Sequence, residues 1–136
     1  MFKEEIKFRG SKFSSNEFVY GNLIQSKQSN PIICAINNNS VFMPQGTITG
    51  WAFTVKSDSV SRYIGLRDKN GTELYLYDAV KFDYCEQKDV IGMISLNKWG
   101  HSMILVDDKE YHIENAVKGV RIGVFELRSD GKKSMN

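Results

Sequence analysis

Hydrophobic and polar residues alternate in short runs along much of this chain, and the alternation predicts β-strands rather than helices. Ile6–Arg9 and Asp78–Tyr84 show it most clearly; in the second run Val80, Phe82 and Tyr84 share one face, and charged residues occupy the other. No window carries apolar residues at the i, i+3, i+4, i+7 spacing of an amphipathic helix. The pattern therefore predicts a mainly β fold with little helix.

Further strands are predicted where apolar and aromatic runs lie between polar turns. They are, in chain order, Glu17–Ile24, Pro31–Ile36, Val41–Met43, Ile48–Val55, Asp89–Leu96, Ser102–Val106, Tyr111–Ile113 and Val120–Phe125. One helical turn is expected at Asn115–Gly119. Short strands at near-regular spacing favour a small antiparallel barrel or sandwich, with an additional β meander, over a helical or doubly wound domain.

The segment Tyr63–Tyr75 has the pattern of a β-hairpin. Two apolar and aromatic runs flank the tetrapeptide Asp68–Gly71. Asp68 suits the first position of a type I turn because its carboxylate accepts hydrogen bonds from nearby backbone N–H groups. Gly71 can adopt a positive φ without a Cβ clash, so it can close the hairpin through a bulge.

Length and composition are those of one soluble globular domain. The chain has 136 residues, of which 41% are hydrophobic and 25% charged. We expect a single β domain over residues 1–128, with any subdomain seam near residues 56–61, and a frayed polar tail over residues 129–136. The net charge of +2 is small for a dedicated nucleic-acid-binding domain.

The residues that bind metals or act as nucleophiles are few and far apart. Cys34, Cys85, His101 and His112 show no C-x-x-C pair and no histidine pair at metal-binding spacing. Cys85 lies beside Glu86, whose charge disfavours a thiolate. Nucleophile-elbow and phosphate-loop motifs are missing. The sequence predicts a protein without metal, cofactor or catalytic residues; an enzyme whose site assembles from scattered residues is the remaining alternative.

The sequence also bears on where the protein acts. Residues 2–6 lack the apolar core of a signal peptide, and no apolar run approaches the roughly 20 residues of a membrane-spanning helix. Two cysteines are fewer than a small secreted domain usually carries. We therefore expect a cytoplasmic protein with reduced thiols and no membrane partner.

One group of residues has the composition of a nucleic-acid or partner surface. Cations beside aromatic rings suit single strands, because phosphates require positive charge and bases stack on flat faces. In and near the hairpin these are Arg62, Tyr63, Arg67, Lys69, Tyr75 and Lys81. The alternative interpretation is that the cations are solvated and the tyrosines half-buried; Asp68, Glu73 and Asp78 also dilute the positive charge.

Several segments together resemble the YopX family of phage and prophage proteins. The similarity rests on the order and spacing of Ile6–Gly10, Phe18–Leu23, Tyr63–Tyr75, Asp78–Phe82 and Ile122-Gly123. It covers most of the chain between about Ile6 and Glu126, and the hairpin segment is its most specific part.

The sequence departs from the YopX pattern at three places. Tyr77 stands where the family has glycine, Leu76 replaces an acidic residue, and the segment Lys27–Thr54 matches no part of the family. The two substitutions would reshape the turn that leads into the strand after the hairpin.

The resemblance implies a mainly β fold containing an SH3-like small barrel, encoded by a phage or prophage and made inside a bacterium. It implies no activity, cofactor or catalytic residue. Our first hypothesis is a non-catalytic binding module in the host cytoplasm that engages a host or phage protein through an edge strand or a loop surface. Nucleic-acid binding is the second hypothesis, and association with a second copy of the chain stays open.

Overall fold

A computed structural model describes most of the chain. The described residues are 6–13, 15–25, 29–35, 52–127 and 133–135. The chain divides into two compact units, Met1–Arg62 and Tyr63–Asn136, which we call the N-terminal and C-terminal units. Ser57–Ser59, within the segment where a seam was predicted, form a turn of 3-10 helix.

The N-terminal unit is an antiparallel sheet with the strand order β4-β3-β2-β1. Its strands are β1 (Phe8–Ser11), β2 (Phe18–Ile24), β3 (Ile32–Ala35) and β4 (Ala52–Thr54), and β1 also pairs with the first two residues of β5 (Ser61–Arg67). Val19, Ile33 and Val55 form the buried core. The backbone passes close to this core at Gly10, where a Cβ would lie 2.7 Å from a methyl of Val55.

The alternation predicted for Ile6–Arg9 is only partly observed, because Phe8 packs against the core but Ile6 and Arg9 do not follow the pattern. Ile6 is 58% exposed, whereas Arg9 is only 1% exposed. The Arg9 guanidinium donates from Nε to Ser61 Oγ at 2.8 Å and lies 4.9 Å from the centre of the Phe18 ring. These contacts offset part of the cost of burying the guanidinium charge, so Arg9 is buried although the alternation places it on the outer face.

The C-terminal unit contains a larger antiparallel sheet with the strand order β10-β9-β8-β7-β11-β12. The strands are β7 (Asp78–Tyr84), β8 (Gln87–Leu96), β9 (Ser102–Val106), β10 (Lys109–His112), β11 (Val120–Leu127) and β12 (Lys133–Met135). A hairpin of β5 with β6 (Glu73–Tyr75) precedes them, and a short helix α1 (Glu114–Val117) connects β10 to β11. The hairpin and the helical turn are confirmed.

The inner face of this sheet carries the main hydrophobic core. Val80 and Phe82 lie on it, as the alternation in β7 predicts, together with Ile94 and Ile104 from the two following strands. The sheet curls strongly: the rings of Tyr84 on β7 and Tyr111 on β10 meet at 4.8 Å between centroids, although two strands separate β7 from β10 in the sheet.

Several predictions are corrected or fall outside the described residues. Among those residues the sheet does not close into a barrel, because its pairings end at β10 and β12. The tail is not simply frayed, since β12 within residues 129–136 pairs with β11. The predicted strand at Val41–Met43, the first half of Ile48–Val55 (residues 48–51) and the turn at Asn37–Ser40 lie outside the described residues, whereas the second half of Ile48–Val55 contains strand β4, as predicted.

Candidate functional site

The predicted turn at Asp68–Gly71 forms, and it extends to Thr72. Asp68 N–H donates to the Thr72 carbonyl at 2.9 Å, and Gly71 N–H donates to the Asp68 carbonyl at 3.0 Å. Gly71 has a φ of +82°. The side-chain oxygen Oδ1 of Asp68 accepts from the N–H groups of Asn70 at 2.9 Å and of Thr72 at 3.0 Å. We call Asp68–Thr72, closed in this way by its own first side chain, the Asp68 turn.

Asp68 also connects the turn to β11. Its second oxygen, Oδ2, accepts from the backbone N–H of Arg121 at 2.9 Å. Burial would raise the pKa of the Asp68 carboxyl, but the hydrogen bonds from Arg121, Thr72 and Asn70 and the charge of Arg121 outweigh it and lower the pKa. The carboxylate is therefore held ionised although it is buried.

A second buried carboxylate, Asp78, holds the side chain of the same arginine. Arg121 Nε donates to Asp78 Oδ1 at 3.0 Å, and the Tyr75 N–H donates to Asp78 Oδ2 at 2.8 Å. Asp78 is fully buried. Arg121 thus lies between two carboxylates, one bound to its backbone and one to its guanidinium. This arrangement fixes β11 against the hairpin.

The two tyrosines of the predicted surface are buried. Tyr63 is 6% exposed and Tyr75 is 1% exposed, and their rings lie 5.5 Å apart between centroids in the interior of the hairpin. Bases stack on rings that solvent can reach. The prediction that Tyr63 and Tyr75 form a stacking platform is therefore wrong.

The four predicted cations are exposed, but they do not share one setting. Arg62 belongs to the N-terminal unit, whereas Arg67, Lys69 and Lys81 belong to the C-terminal unit. Arg67 is engaged within its own hairpin, where it contacts Glu73 Oε2 at 3.5 Å and donates to the Gly71 carbonyl at 3.2 Å. An exposed pair of this kind contributes little to stability, but it reduces the charge that Arg67 offers a ligand.

Lys69 and Lys81 do come close, because both border Gly119. The Lys69 N–H donates to the Gly119 carbonyl at 3.1 Å, and a Cβ on Gly119 would lie 2.5 Å from the Lys81 carbonyl. Lys118, next to Gly119 in the chain, is exposed as well. We call Lys69, Lys81 and Lys118 the lysine group, because the backbones of the first two lie at Gly119, the third precedes Gly119 in the chain, and all three are exposed. Lys118 was missed because it lies far from the hairpin in sequence.

The β8–β9 hairpin carries a second copy of the Asp68 turn. In Asn97–His101, which we call the Asn97 turn, the Asn97 N–H donates to the His101 carbonyl at 2.8 Å, and the Gly100 N–H donates to the Asn97 carbonyl at 3.0 Å. Asn97 Oδ1 accepts from the N–H groups of Trp99 at 2.9 Å and His101 at 3.0 Å. Gly100 has a φ of +81°. Bond for bond, this is the geometry of the Asp68 turn.

The Asn97 turn presents Trp99 to solvent. Trp99 is 70% exposed, the highest fraction among the exposed large hydrophobic residues of the described chain, and Lys98 Nζ lies 4.4 Å from its ring centre. Sequence analysis missed this site. The signal was present, since the spacing of Asn97 and Gly100 repeats that of Asp68 and Gly71.

An open cleft of about 480 Å³ runs along β10. It is lined by Tyr84, Lys109, Glu110, Tyr111, His112 and Asn115. Tyr84 and Tyr111 meet edge to face at an interplanar angle of 79° and form its aromatic wall. The Asn115 side chain donates to the His112 carbonyl at 3.0 Å, and His112 Nδ1 accepts from the Glu114 N–H at 3.2 Å. The cleft has polar groups but no nucleophile paired with a base.

The metal-binding residue types stay apart. Across the described part of the chain, no three side chains from His, Cys, Asp and Glu converge as a metal site would require. Cys34 is half-buried and Cys85 is exposed, and both are free thiols. His101 ends the Asn97 turn, and His112 lies on the β10 cleft.

No protein-family model matches the chain, and no curated protein matches it. Where the chain is described, none of its helices has the length and apolar character needed to cross a bilayer. The features that bear on function are therefore the Asn97 turn with Trp99, the lysine group and the β10 cleft.

Proposed function

We propose that this protein is a non-catalytic binding module of phage or prophage origin, related to the YopX family, that acts in the cytoplasm of a bacterial host. Its partner is a host or phage protein. The lineage rests on the sequence resemblance, and the binding role rests on the surface of the C-terminal unit. That surface mixes both signs of charge with exposed apolar side chains, as protein-binding surfaces do.

Trp99 is the observation that carries the proposal. A tryptophan that is 70% exposed gains much from burial in a partner, and tryptophan is enriched among the residues that dominate binding energy. The Asn97 turn holds its backbone by four hydrogen bonds, so little loop freedom remains to be lost on association. A preorganised aromatic side chain on a loop tip is well suited to anchor a protein complex.

We also propose that strands β7 to β11 form an SH3-like barrel that is open on one side. Support comes from the order β10-β9-β8-β7-β11, in which a meander of four strands is followed by a helical turn and a fifth strand that returns beside the first. The contact between Tyr84 and Tyr111 supports the curl that a barrel requires.

The test exchanges Trp99 for the residue at the same place in the twin turn. Asn70 is the third residue of the Asp68 turn, so Trp99→Asn should keep the fold while removing the anchor. Tagged wild-type protein is used to capture partners from a nuclease-treated lysate of the bacterial host. We expect it to retain a specific host or phage protein, and the amount of that protein retained by Trp99→Asn should be at least tenfold lower. The control Asn70→Ala should capture as wild type does, and equal capture by wild type and Trp99→Asn would refute the proposal.

Single-stranded nucleic acid is the second candidate, and the lysine group is the observation in its favour. Lys69 and Lys81 approach Gly119 through their backbones, Lys118 adjoins it in the chain, and none of the three has a carboxylate within salt-bridge distance among the described residues. Phosphates would be attracted to such a group. The buried Tyr63 and Tyr75 weaken this candidate because they leave the lysines without the stacking rings that were predicted beside them.

A further inference from the structure

Strand β10 is an edge of the large sheet. Among the described strands it pairs with β9 alone, in the register Lys109↔Val106, Glu110↔Leu105, Tyr111↔Ile104 and His112↔Met103. In an antiparallel pair, the backbone groups of alternate residues point toward the partner strand, and those of the residues between them point away. Every second residue of β10 therefore directs its N–H and C=O groups to the outside of the sheet.

The Asn115 side chain shows which residues these are. It donates to the His112 carbonyl, so the backbone of His112 faces away from β9. Glu110, two residues earlier, must face the same way. The two-residue loop Asp107-Asp108 gives the same orientation. The residues that flank such a loop, Val106 and Lys109, bond to each other, so the N–H and C=O of the next residue, Glu110, point away from β9. Within the described residues, the N–H and C=O groups of Glu110 have no hydrogen-bond partner.

The β10 cleft follows this same edge. All four residues of β10 line it, and the aromatic wall of Tyr84 and Tyr111 stands beside the outward backbone groups of Glu110. A ligand in this cleft could bond to both the N–H and the C=O of Glu110 and also contact the aromatic wall. To do so, it must carry an acceptor, a donor and an adjacent side chain. An extended peptide backbone has this arrangement.

Charge narrows the choice of peptide. The chain around the edge carries exposed carboxylates at Asp107, Asp108, Glu110 and Glu114, against the cation of Lys109. Charged residues on a short edge strand discourage pairing with strands that do not complement them. A segment with lysine or arginine next to an apolar residue complements this edge, because the cations face the carboxylates and the apolar side chain packs on Tyr84 and Tyr111.

We propose that β10 binds an extended, basic peptide segment of a partner protein by strand addition. The segment hydrogen-bonds to the N–H and C=O of Glu110 and places one apolar side chain in the cleft. The Asn115–His112 hydrogen bond limits the added strand at the far end of β10. This site rests on the β10 edge alone and is separate from Trp99, so either can fail without the other.

A matched pair of substitutions at one residue tests the backbone contact. Because the Glu110 N–H points away from β9, Glu110→Pro removes the outward donor without breaking the β9–β10 ladder. Glu110→Gln keeps the donor and removes only the charge. The probe is a displayed library of random ten-residue peptides, selected on the wild-type protein. Selected peptides should be rich in Lys or Arg at every second position and should bind Glu110→Pro at least about tenfold more weakly than Glu110→Gln.

Amide exchange on the wild-type protein gives a second test that does not depend on the folding of a variant. Saturation with a selected peptide should slow exchange of the Glu110 amide at least tenfold more than exchange of the Lys109 amide, which already bonds to β9. Equal binding to the two Glu110 variants, or an unchanged Glu110 amide, would overturn the proposal. So would a wild-type dimer that Glu110→Pro converts to monomer, because a second copy would then occupy the edge.

Discussion

Asp68 binds three backbone N–H groups in two parts of the C-terminal unit through one side chain. Its two oxygens accept hydrogen bonds from the backbone N–H groups of Asn70, Thr72 and Arg121, the last 53 positions away in sequence. Hydrogen bonds to a charged acceptor contribute more than neutral ones, and a buried donor left without its acceptor is costly. The carboxylate therefore both shapes its turn and fastens the turn to β11.

We expect Asp68→Asn to destabilise the C-terminal unit by about 1.5–3 kcal/mol at pH 7. An asparagine can make the two turn bonds, as Asn97 does in the twin turn, but its amide nitrogen would then face the Arg121 N–H. Urea unfolding followed by the NMR amide signals of the hairpin measures the change. Asn97→Asp is the matched control, and because Asn97 makes no third bond, its effect should be small.

The pH dependence of this difference follows from the direction of the pKa shift. Because the folded-state pKa of Asp68 lies below its unfolded value, its contribution is fully present above an unfolded pKa of about 4 and is lost as the pH falls through the folded pKa. The stability difference between wild type and Asp68→Asn should therefore shrink as the pH is lowered from 7 into the acid range below about 4. A difference that stays constant over that range would contradict the assigned role of the carboxylate.

At the scale of elements, the two turns show that a five-residue pattern specifies one backbone geometry in two different settings. Each begins with Asp or Asn, which caps the turn, and has glycine in the fourth position at a φ of +82° or +81°. No atom outside the neighbouring residues lies within 4 Å of a Cβ placed on Gly71 or Gly100. A side chain at either position would therefore reduce stability through the positive φ of the backbone and not through a steric clash.

Replacing either glycine should therefore cost the same amount. Gly71→Ala and Gly100→Ala should each lower the free energy of unfolding by about 1 kcal/mol, and Gly71→Val by more, since β-branched residues tolerate positive φ least. Chemical denaturation of each variant measures this. Gly92→Ala is a contrasting case, because its Cβ would lie 2.5 Å from an Ile104 methyl and should cost more through overpacking. A neutral Gly71→Val would refute the turn assignment.

The buried positions could be predicted from the sequence in strands with one buried face, but not in strands with two. The alternation in β7 predicted the core positions Val80 and Phe82, and Asp68 with Gly71 predicted the turn. In β6, however, the consecutive residues Leu74 and Tyr75 are 0% and 1% exposed. A period of two cannot show which residues are exposed when both faces are covered. The β10 cleft was not predictable because it depends on the curl of the sheet.

At the scale of the whole molecule, charge argues against a dedicated nucleic-acid protein. The net charge of +2 is spread over a mixed surface, and Arg121 is committed to Asp78. Arg67 pairs with Glu73, and Arg9 is buried. The lysine group is thus the one set of neighbouring exposed cations that the described part of the C-terminal unit brings around a single residue.

The salt dependence of oligonucleotide binding separates the two candidate functions. Each phosphate that a lysine neutralises on a single strand lowers the logarithm of affinity by about 0.7 per tenfold rise in salt. The lysine group has three lysines and no exposed aromatic ring among them. We therefore expect a labelled twenty-nucleotide single strand to bind only at low salt, so that titration with the protein no longer gives a saturable change in its fluorescence anisotropy near 0.15 M salt. Lys81→Glu and Lys118→Glu should remove the low-salt binding, whereas Trp99→Asn should leave it unchanged. Tight binding at 0.15 M salt that depends on Lys69, Lys81 and Lys118 would favour nucleic acid over a protein partner. Three lysines alone are too few to hold a single strand at that salt concentration, so such binding would require additional protein contacts to the nucleic acid.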